Sequence, residues 1–433
     1  LSSTFQDLAE RLLPGGVQVE DRHNQLEFVL TSSGTGKELL REEKIYWQTT
    51  PEFLNLIDRY HQYLTTQGKP FSDLCFQDEV FLRKEELWTL YNQYYAYLPM
   101  KKRLIQLQKR AFYLLRPLTK QKLKEYAQKL AKADQTLTEK EIKAQSRLAL
   151  SKDLSPLRTE IHSWSDLEPF QLYRELFANE ALLSKMGNDL FPPATLARLR
   201  QAVLNTLESG RLAYEDLAPY LYFRGKIEGF PRFPEIKHLI IDEAQDYTLF
   251  HYQIIKELFP AATLTILGDP NQTIHPRQYR SSFSEIAAVF AKQNPEVYTL
   301  NKSYRSTREI TTFTLQLLGG KPETEYINRP GPKPQVVKVD DRNQMVAALA
   351  AQIRALKDEG ITSLAVIAKT ARECQTIYQE LKQLVPIRLI TKEEKTFSNS
   401  PLIIPSYLAK GLEFDAVLVY DCSQEGYGSE REL

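Results

Sequence analysis

The sequence is poor in cysteine. Cys75, Cys374 and Cys422 are its three, widely spaced and odd in number, a usage that fits a reducing compartment and neither a zinc site nor a disulfide framework. Charge of one sign is lacking too, since 56 Lys and Arg against 55 Asp and Glu leave a formal net charge of +1. No global field draws the molecule to nucleic acid, so any basic footprint has to be local. No apolar run approaches the roughly 18–20 residues that a membrane helix needs, and no signal peptide opens the chain. A cytoplasmic location with no membrane partner is the expectation. Internal repeats are absent beyond a shared α/β plan. What is present suffices for sizeable cores: 433 residues, 42% hydrophobic and 11% aromatic, a length for two or three domains.

The chain is organised around His238-Leu239-Ile240-Ile241-Asp242-Glu243-Ala244-Gln245-Asp246, an apolar run ending in adjacent carboxylates. Such a run reads as a buried parallel strand, whose polar end sits at the carboxyl edge of the sheet where ligands bind. In a nucleotide hydrolase Asp242 would hold Mg²⁺, usually through water, and Glu243 would orient or deprotonate the attacking water. A surface strand end with two solvated acids is the plainer alternative. A second strand at 263–267 runs into Gly268-Asp269-Pro270-Asn271-Gln272. Gly268 lets backbone approach a phosphate, and the neutral amide of Gln272 is able to sense a γ-phosphate or its water. A helix at 250–259 between these strands suits a right-handed crossover.

Residues 44–210 read as helical, with amphipathic stretches at 52–63 and 85–97. Phe53, Leu54, Ile57 and Tyr60 make a core stripe, and Trp164, Phe170, Leu172, Leu176 and Phe177 are packing candidates. Residues 101–132 set eleven cations against the single acid Glu125; Pro117 should break or kink that helix, and a second helix at 138–150 should return beside it. The segment is either a solvated charged face or a basic arm for phosphates or an acidic protein surface. Beyond 305, strands near 335–339, 363–368, 387–390, 402–404 and 416–420 alternate with helices at 343–357 and 371–384, and Gly319-Gly320 should end a helix.

One stretch imitates a phosphate loop. Thr31-Ser32-Ser33-Gly34-Thr35-Gly36-Lys37-Glu38 follows a possible strand at 26–30. Thr31 stands where the G-x-x-x-x-G-K-[ST] pattern needs its first glycine, and Glu38 puts a carboxylate where the magnesium hydroxyl belongs. A polar turn is expected there.

Two more words complete a series: Leu300-Asn301-Lys302-Ser303-Tyr304-Arg305-Ser306, and Ala409-Lys410-Gly411-Leu412-Glu413-Phe414-Asp415. With the two strand ends, in this order, they resemble motifs II, III, IV and V of the UvrD/Rep branch of superfamily 1 helicases. Flanking words, including Leu26-Glu27-Phe28, the run from Tyr214 to Tyr222, and Tyr407 to Val417, resemble the HelD family, helicase-like ATPases that recycle bacterial RNA polymerase. The resemblance implies an α/β fold of two RecA-like P-loop NTPase domains. Residues 1–43 would belong to the first, 44–230 would be a helical insertion in it, 231–303 its remainder, and 304–433 the second domain. It implies ATP and Mg²⁺ as cofactors, with Asp242 on the metal and Glu243, Gln272 and Arg305 catalytic. Tyr304 would stack on the adenine, and Gly411 and Glu413 would meet the ribose. Arg305 brings a guanidinium fork suited to charge developing on a γ-phosphate; its plainer alternative is a salt-bridge partner, and for Tyr304 a packed aromatic.

The departures concern DNA. Arg277 stands where UvrD-like motif III has a base-stacking aromatic, and Pro405 and Tyr407 replace the Thr and His that face the strand in motif V. About 105 residues separate Arg305 from Lys410, too few for a large inserted duplex-binding domain. Two readings follow: an ATP-dependent motor that binds core RNA polymerase, with weak or transient DNA contact, and a UvrD/Rep-type DNA helicase or translocase. A non-enzymatic binding module is a third. The chain reads as a fragment lacking the P-loop and motif VI, inactive by itself.

Overall fold

A computed structural model describes residues 3–15, 17–32, 34–67, 71–208, 210–273, 275, 277–318, 325–326, 328–391, 400–423 and 426–427. The expected Gly319-Gly320 helix end and residues 429–433 lie outside them. In chain order the first elements are α1 (Phe5–Leu12), β1 (Gln18–Val19), α2 (Arg22–Thr31), α3 (Gly36–Gln48), α4 (Pro51–Gln67), β2 (Leu74–Phe76), β3 (Glu79–Leu82), α5 (Lys84–Thr89) and a π-helical turn, Leu90–Tyr94. There follow α6 (Met100–Ala133), α7 (Glu139–Ser163), α8 (Pro169–Ala178), α9 (Glu180–Gly187), α10 (Pro193–Leu207), β4 (Arg211–Leu212), α11 (Tyr214–Glu228), β5 (His238–Ile241), α12 (Leu249–Leu258) and β6 (Thr263–Ile266). The rest comprises α13 (Phe283–Val289), β7 (Lys302–Ser303), α14 (Arg308–Leu318), β8 (Glu325–Tyr326), α15 (Arg342–Asp358), β9 (Leu364–Ala368), α16 (Ala371–Leu381), β10 (Arg388–Leu389), β11 (Leu402–Pro405), α17 (Ser406–Ala409) and β12 (Ala416–Val419). The architecture is the expected mixed α/β one, with many helices and parallel sheets.

The chain forms two compact units. One comprises Leu1–Gln18, Thr50–Lys237 and Gln253–Ala262. Its core is aromatic: Tyr60 stacks on Phe223 with centroids 5.5 Å apart, Tyr173 meets Phe177 and Tyr220 edge-on, and Phe53 stacks on Phe177. Such rings contribute burial plus quadrupole contacts. Helices α6 and α7 form the expected hairpin, α7 opening on a capping box between Thr138 and Glu141. Pro117 does not break α6, which continues sixteen residues beyond it to Ala133; packing against α7 offsets the lost backbone bond. The expected helix at 85–97 ends at Thr89 and passes into the π turn. The hairpin β2–β3 falls inside the stretch read as helical.

The second unit comprises Val19–Thr49, His238–Tyr252 and Thr263–Leu433. Its larger sheet is parallel with strand order β10-β11-β9-β12. Val366 and Ile403, both fully buried, pack with Leu349, Ile353, Ile377 and Leu381 of α15 and α16. Strands β5 and β6 pair in parallel, His238 opposite Thr263 and Ile241 opposite Ile266. Three expectations fail here. Strand β5 is only partly buried: Ile241 is in the core but Ile240 is 69% exposed, because β5 has one neighbouring strand among the described residues. No strand forms at 335–339, where Pro332 and Pro334 interrupt the donors just upstream and Val336 is 79% exposed. Residues 26–30 are helix, not strand: Leu26 and Leu30 lie one turn apart against Tyr407.

Candidate active site

The predicted site residues all fall in this second unit. Asp242 is exposed at the end of β5, and its Oδ1 accepts the Glu243 backbone N–H at 2.9 Å. Glu243 then turns the chain with φ +53, a left-handed conformation unusual outside glycine. The parallel ladder persists through this turn: Leu267 N–H donates to Ile241 O and Ala244 N–H to Leu267 O, each at 2.8 Å. Gln245 ties the two strand ends together. Its Nε2 donates to Glu243 Oε2 at 2.6 Å and to Gln272 O at 3.4 Å, while its Oε1 accepts from Asp269 N–H at 3.1 Å. Gly268 is required by this packing, since a Cβ there would stand 2.8 Å from Gln245 Oε1 and 3.1 Å from Ala244 N. Its close approach in this structure is to its own neighbours. The Gln272 amide donates to Asp269 Oδ2 at 2.8 Å.

Asp246, to which the sequence reading gave no role, is the electrostatic centre. Its side chain is 8% exposed, and each carboxylate oxygen takes one cation: Lys410 Nζ at 2.9 Å from Oδ1 and Arg22 at 2.8 Å from Oδ2. Lys410 also reaches Glu243 Oε2 at 3.2 Å. A side chain at Gly411, whose φ is +78, would come within 3.9 Å of Glu243 Oε1. The word at 409–415 and the word at 238–246 thus meet at the carboxyl edge of β5. Below them Tyr252 donates to Ala244 O at 2.8 Å, and the buried His251 accepts the Thr248 N–H on Nδ1 at 3.0 Å. Burial, helped by the Arg22 charge, pushes His251 down to about 3, so the ring is neutral.

Two predicted contributors pair with each other. Arg305 Nε lies 2.7 Å from Glu413 Oε1, both side chains about two-thirds exposed. Tyr304 is 65% exposed, and the Lys302 ammonium lies 5.9 Å from its ring centroid. Arg277, in the place of the stacking aromatic, pairs with the buried Glu42 at 3.1 Å. Tyr407 is buried and donates to Glu27 Oε2 at 2.8 Å. Glu27 also accepts the Ala371 and Arg372 backbone N–H groups at 3.0 and 3.4 Å. The phosphate-loop imitation lacks the necessary frame, because helix α2 stands where a strand would feed the loop. Gly34 and Gly36, at φ +67 and +54, make a turn into α3. Among the described residues no helix is long and apolar enough to cross a membrane, and no group of three or more His, Cys, Asp or Glu side chains is placed to hold a metal ion.

Residues 84–295 match the UvrD/REP helicase N-terminal domain. Over 220 residues the chain is 28% identical to a putative ATP-dependent DNA helicase of Acanthamoeba polyphaga mimivirus, a stretch covering 45% of this chain and 30% of that protein. Over 178 residues it is 26% identical to a probable DNA helicase II homolog of Mycoplasma capricolum subsp. capricolum, covering 39% and 24% respectively. The chain therefore matches less than a third of the length of either relative. Taken with the parallel α/β architecture, these matches support a UvrD-like superfamily 1 helicase, the group to which this chain is similar.

Proposed function

We propose that the chain is part of an ATP-driven helicase-like motor, with Asp242, Glu243, Gln272, Arg305, Tyr304, Gly411 and Glu413 forming its nucleotide site. The observation that carries this reading is Lys410, which joins the word at 409–415 to the strand-end carboxylates Glu243 and Asp246. The exposed Asp242 and its neighbour Glu243 offer the hard oxygen donors that Mg²⁺ prefers; bound there, the ion would neutralise phosphate charge. Glu243 is held by Gln245 and Lys410 in position to orient a water. Arg305, on an exposed segment, would leave Glu413 for a phosphate. In a protein that also carries a P-loop, Glu243→Gln is expected to keep nucleotide binding and lose hydrolysis, and Asp242→Asn to weaken the Mg²⁺-dependent part of binding. Wild-type turnover in both variants would sink the assignment. The chain by itself contains no G-x-x-x-x-G-K-[ST] word and is expected not to turn over ATP. A rate of about 1 s⁻¹ that disappears with Lys37→Ala would reverse that expectation.

The finer reading is that the motor works on core RNA polymerase in the cytoplasm, with weak or transient DNA contact, and that residues 44–230 are an insertion in the first of two RecA-like domains. Its support is local. Arg277 is engaged by Glu42 and Tyr407 is buried against Glu27, so neither position presents a ring for a base to stack on. The names of both relatives favour the other reading, a DNA helicase or translocase. Pull-down of the whole protein from its own cell extract separates them: core polymerase subunits in the bound fraction support the first, and their absence with retained DNA binding supports the second.

A further inference from the structure

The basic residues of α6 are sorted by the helix into those used internally and those left facing water. Lys101 pairs with Glu228 at 2.9 Å, and Arg103 donates to the carbonyls of Leu98 and Ala96 while lying over the buried Tyr91 ring. The only acid of the helix, Glu125, is paired with Lys122. Leu104, Leu107, Ala111, Leu115 and Leu118 form the buried face. Opposite them, Lys109, Arg116, Lys120 and Lys124 are exposed at spacings of seven and four residues, which places them along one stripe about 22 Å long. Tyr113 lies in the same stripe, 61% exposed, with the Arg110 guanidinium 5.9 Å from its ring centroid.

A second feature adjoins the start of this helix. The π turn is closed by Tyr95 N–H on Leu90 O at 2.9 Å, and Tyr91 anchors it edge-on against Phe71 and Trp88. With Tyr91 inward, Tyr94 and Tyr97 are left 66% and 80% exposed. The Arg103 bonds to Ala96 and Leu98 fix the loop that carries Tyr97, so these rings are held out by a braced loop. Large rings held in water cost hydrophobic free energy, and a π turn commonly marks a functional segment.

We propose that Tyr94, Tyr97 and Tyr113 with the cations Lys109, Arg116, Lys120 and Lys124 form a binding track for a single-stranded nucleic acid. The rings would stack unpaired bases and the cations would follow the phosphates, the combination by which single strands are bound without sequence preference. The charge of this segment is legible in the sequence; the exposure of its rings is a property of the fold. This inference does not rest on the nucleotide site, and it holds whether the motor's partner is polymerase or DNA. A duplex would satisfy the cations but leave the rings without unstacked bases.

The test is fluorescence anisotropy of the full chain with a labelled deoxythymidine 20-mer and with a blunt duplex, each across a salt series. Tyr94→Ala with Tyr97→Ala removes two stacked bases and is expected to weaken the single strand about thirtyfold or more with an unchanged salt slope. Changing Lys109, Arg116, Lys120 and Lys124 to Gln is expected to reduce that slope by about 2 to 3, from roughly 0.7 per phosphate contact on a single strand. Tyr→Trp at 94 and 97 should retain affinity. Since every altered side chain is exposed, thermal midpoints should match wild type. On the unmodified chain, photo-crosslinking of an iodouridine oligonucleotide should map to Tyr94, Tyr97 or Tyr113. Unchanged affinity and slope in both variant sets would overturn the proposal, as would duplex binding of equal strength that ignores the tyrosines, or crosslinks confined to the second unit. A basic face that loses only polymerase binding on substitution would mark it as a protein-docking surface instead.

Discussion

Asp246 decides more than its neighbours in the acidic strand end, because it is the carboxylate from which water is nearly excluded. A buried acid taking a separate cation on each oxygen is strongly coupled to both. Removing it leaves Lys410, 13% exposed, with only the more exposed Glu243. Asp246→Ala is therefore expected to cost about 2–4 kcal/mol, read as a lowered urea midpoint with unchanged m. The exposed pair Arg305–Glu413 should behave differently: Glu413→Gln is expected to shift stability by less than about 1 kcal/mol. A large loss in the second variant and none in the first would invert this ranking. The carboxylates Asp242 and Glu243 were legible from residue type and position alone. Asp246 was not, because its importance comes from Arg22 and Lys410, which lie 224 and 164 positions away in sequence.

At the scale of elements, helix α2 acts as a brace within its unit. Glu27 collects two backbone N–H groups at the start of α16 and the Tyr407 hydroxyl, so one carboxylate caps a helix it does not belong to. Such charge-assisted bonds at a helix N-terminus are strong. Glu27→Ala is expected to lower stability by about 2–3 kcal/mol and Glu27→Gln by less, since the amide oxygen still accepts; equal losses would show that packing alone is at work. Periodicity located β5, β6, α12, α15 and β9 closely, because apolar spacing and Gly or Pro punctuation agree there. It failed for α2, whose Leu26-Glu27-Phe28-Val29-Leu30 carries strand-like β-branched and aromatic content. What makes it a helix is tertiary: Leu26 and Leu30 bury against Tyr407, and Asp21 caps its first turn. The hairpin β2–β3 was missed for the opposite reason. It has three and four residues and turns through Gln77 at φ +55, not through a glycine.

For the whole molecule, acid should act through histidines as well as carboxylates. Burial holds His61 down to about 4, aided by the Lys226 charge, and His251 down to about 3, against an ordinary value of 6.5. Both folded values are depressed, so the unfolded chain takes up protons first. Their contribution is complete above about pH 6.5 and is lost as pH falls toward 4 and then 3. The thermal midpoint should decline across that window, and His61→Gln with His251→Gln should flatten the decline; an unchanged slope would place the sensitivity elsewhere. The left-handed backbone at Glu243 has a further consequence for the molecule as an evolving object. Glycine would relieve roughly 1 kcal/mol of conformational strain there, and the half-exposed carboxylate it removes contributes little to folding. In a library of this chain selected only for resistance to heat or protease, position 243 should drift toward glycine, and the variants that survive best should be those that have given up the acid.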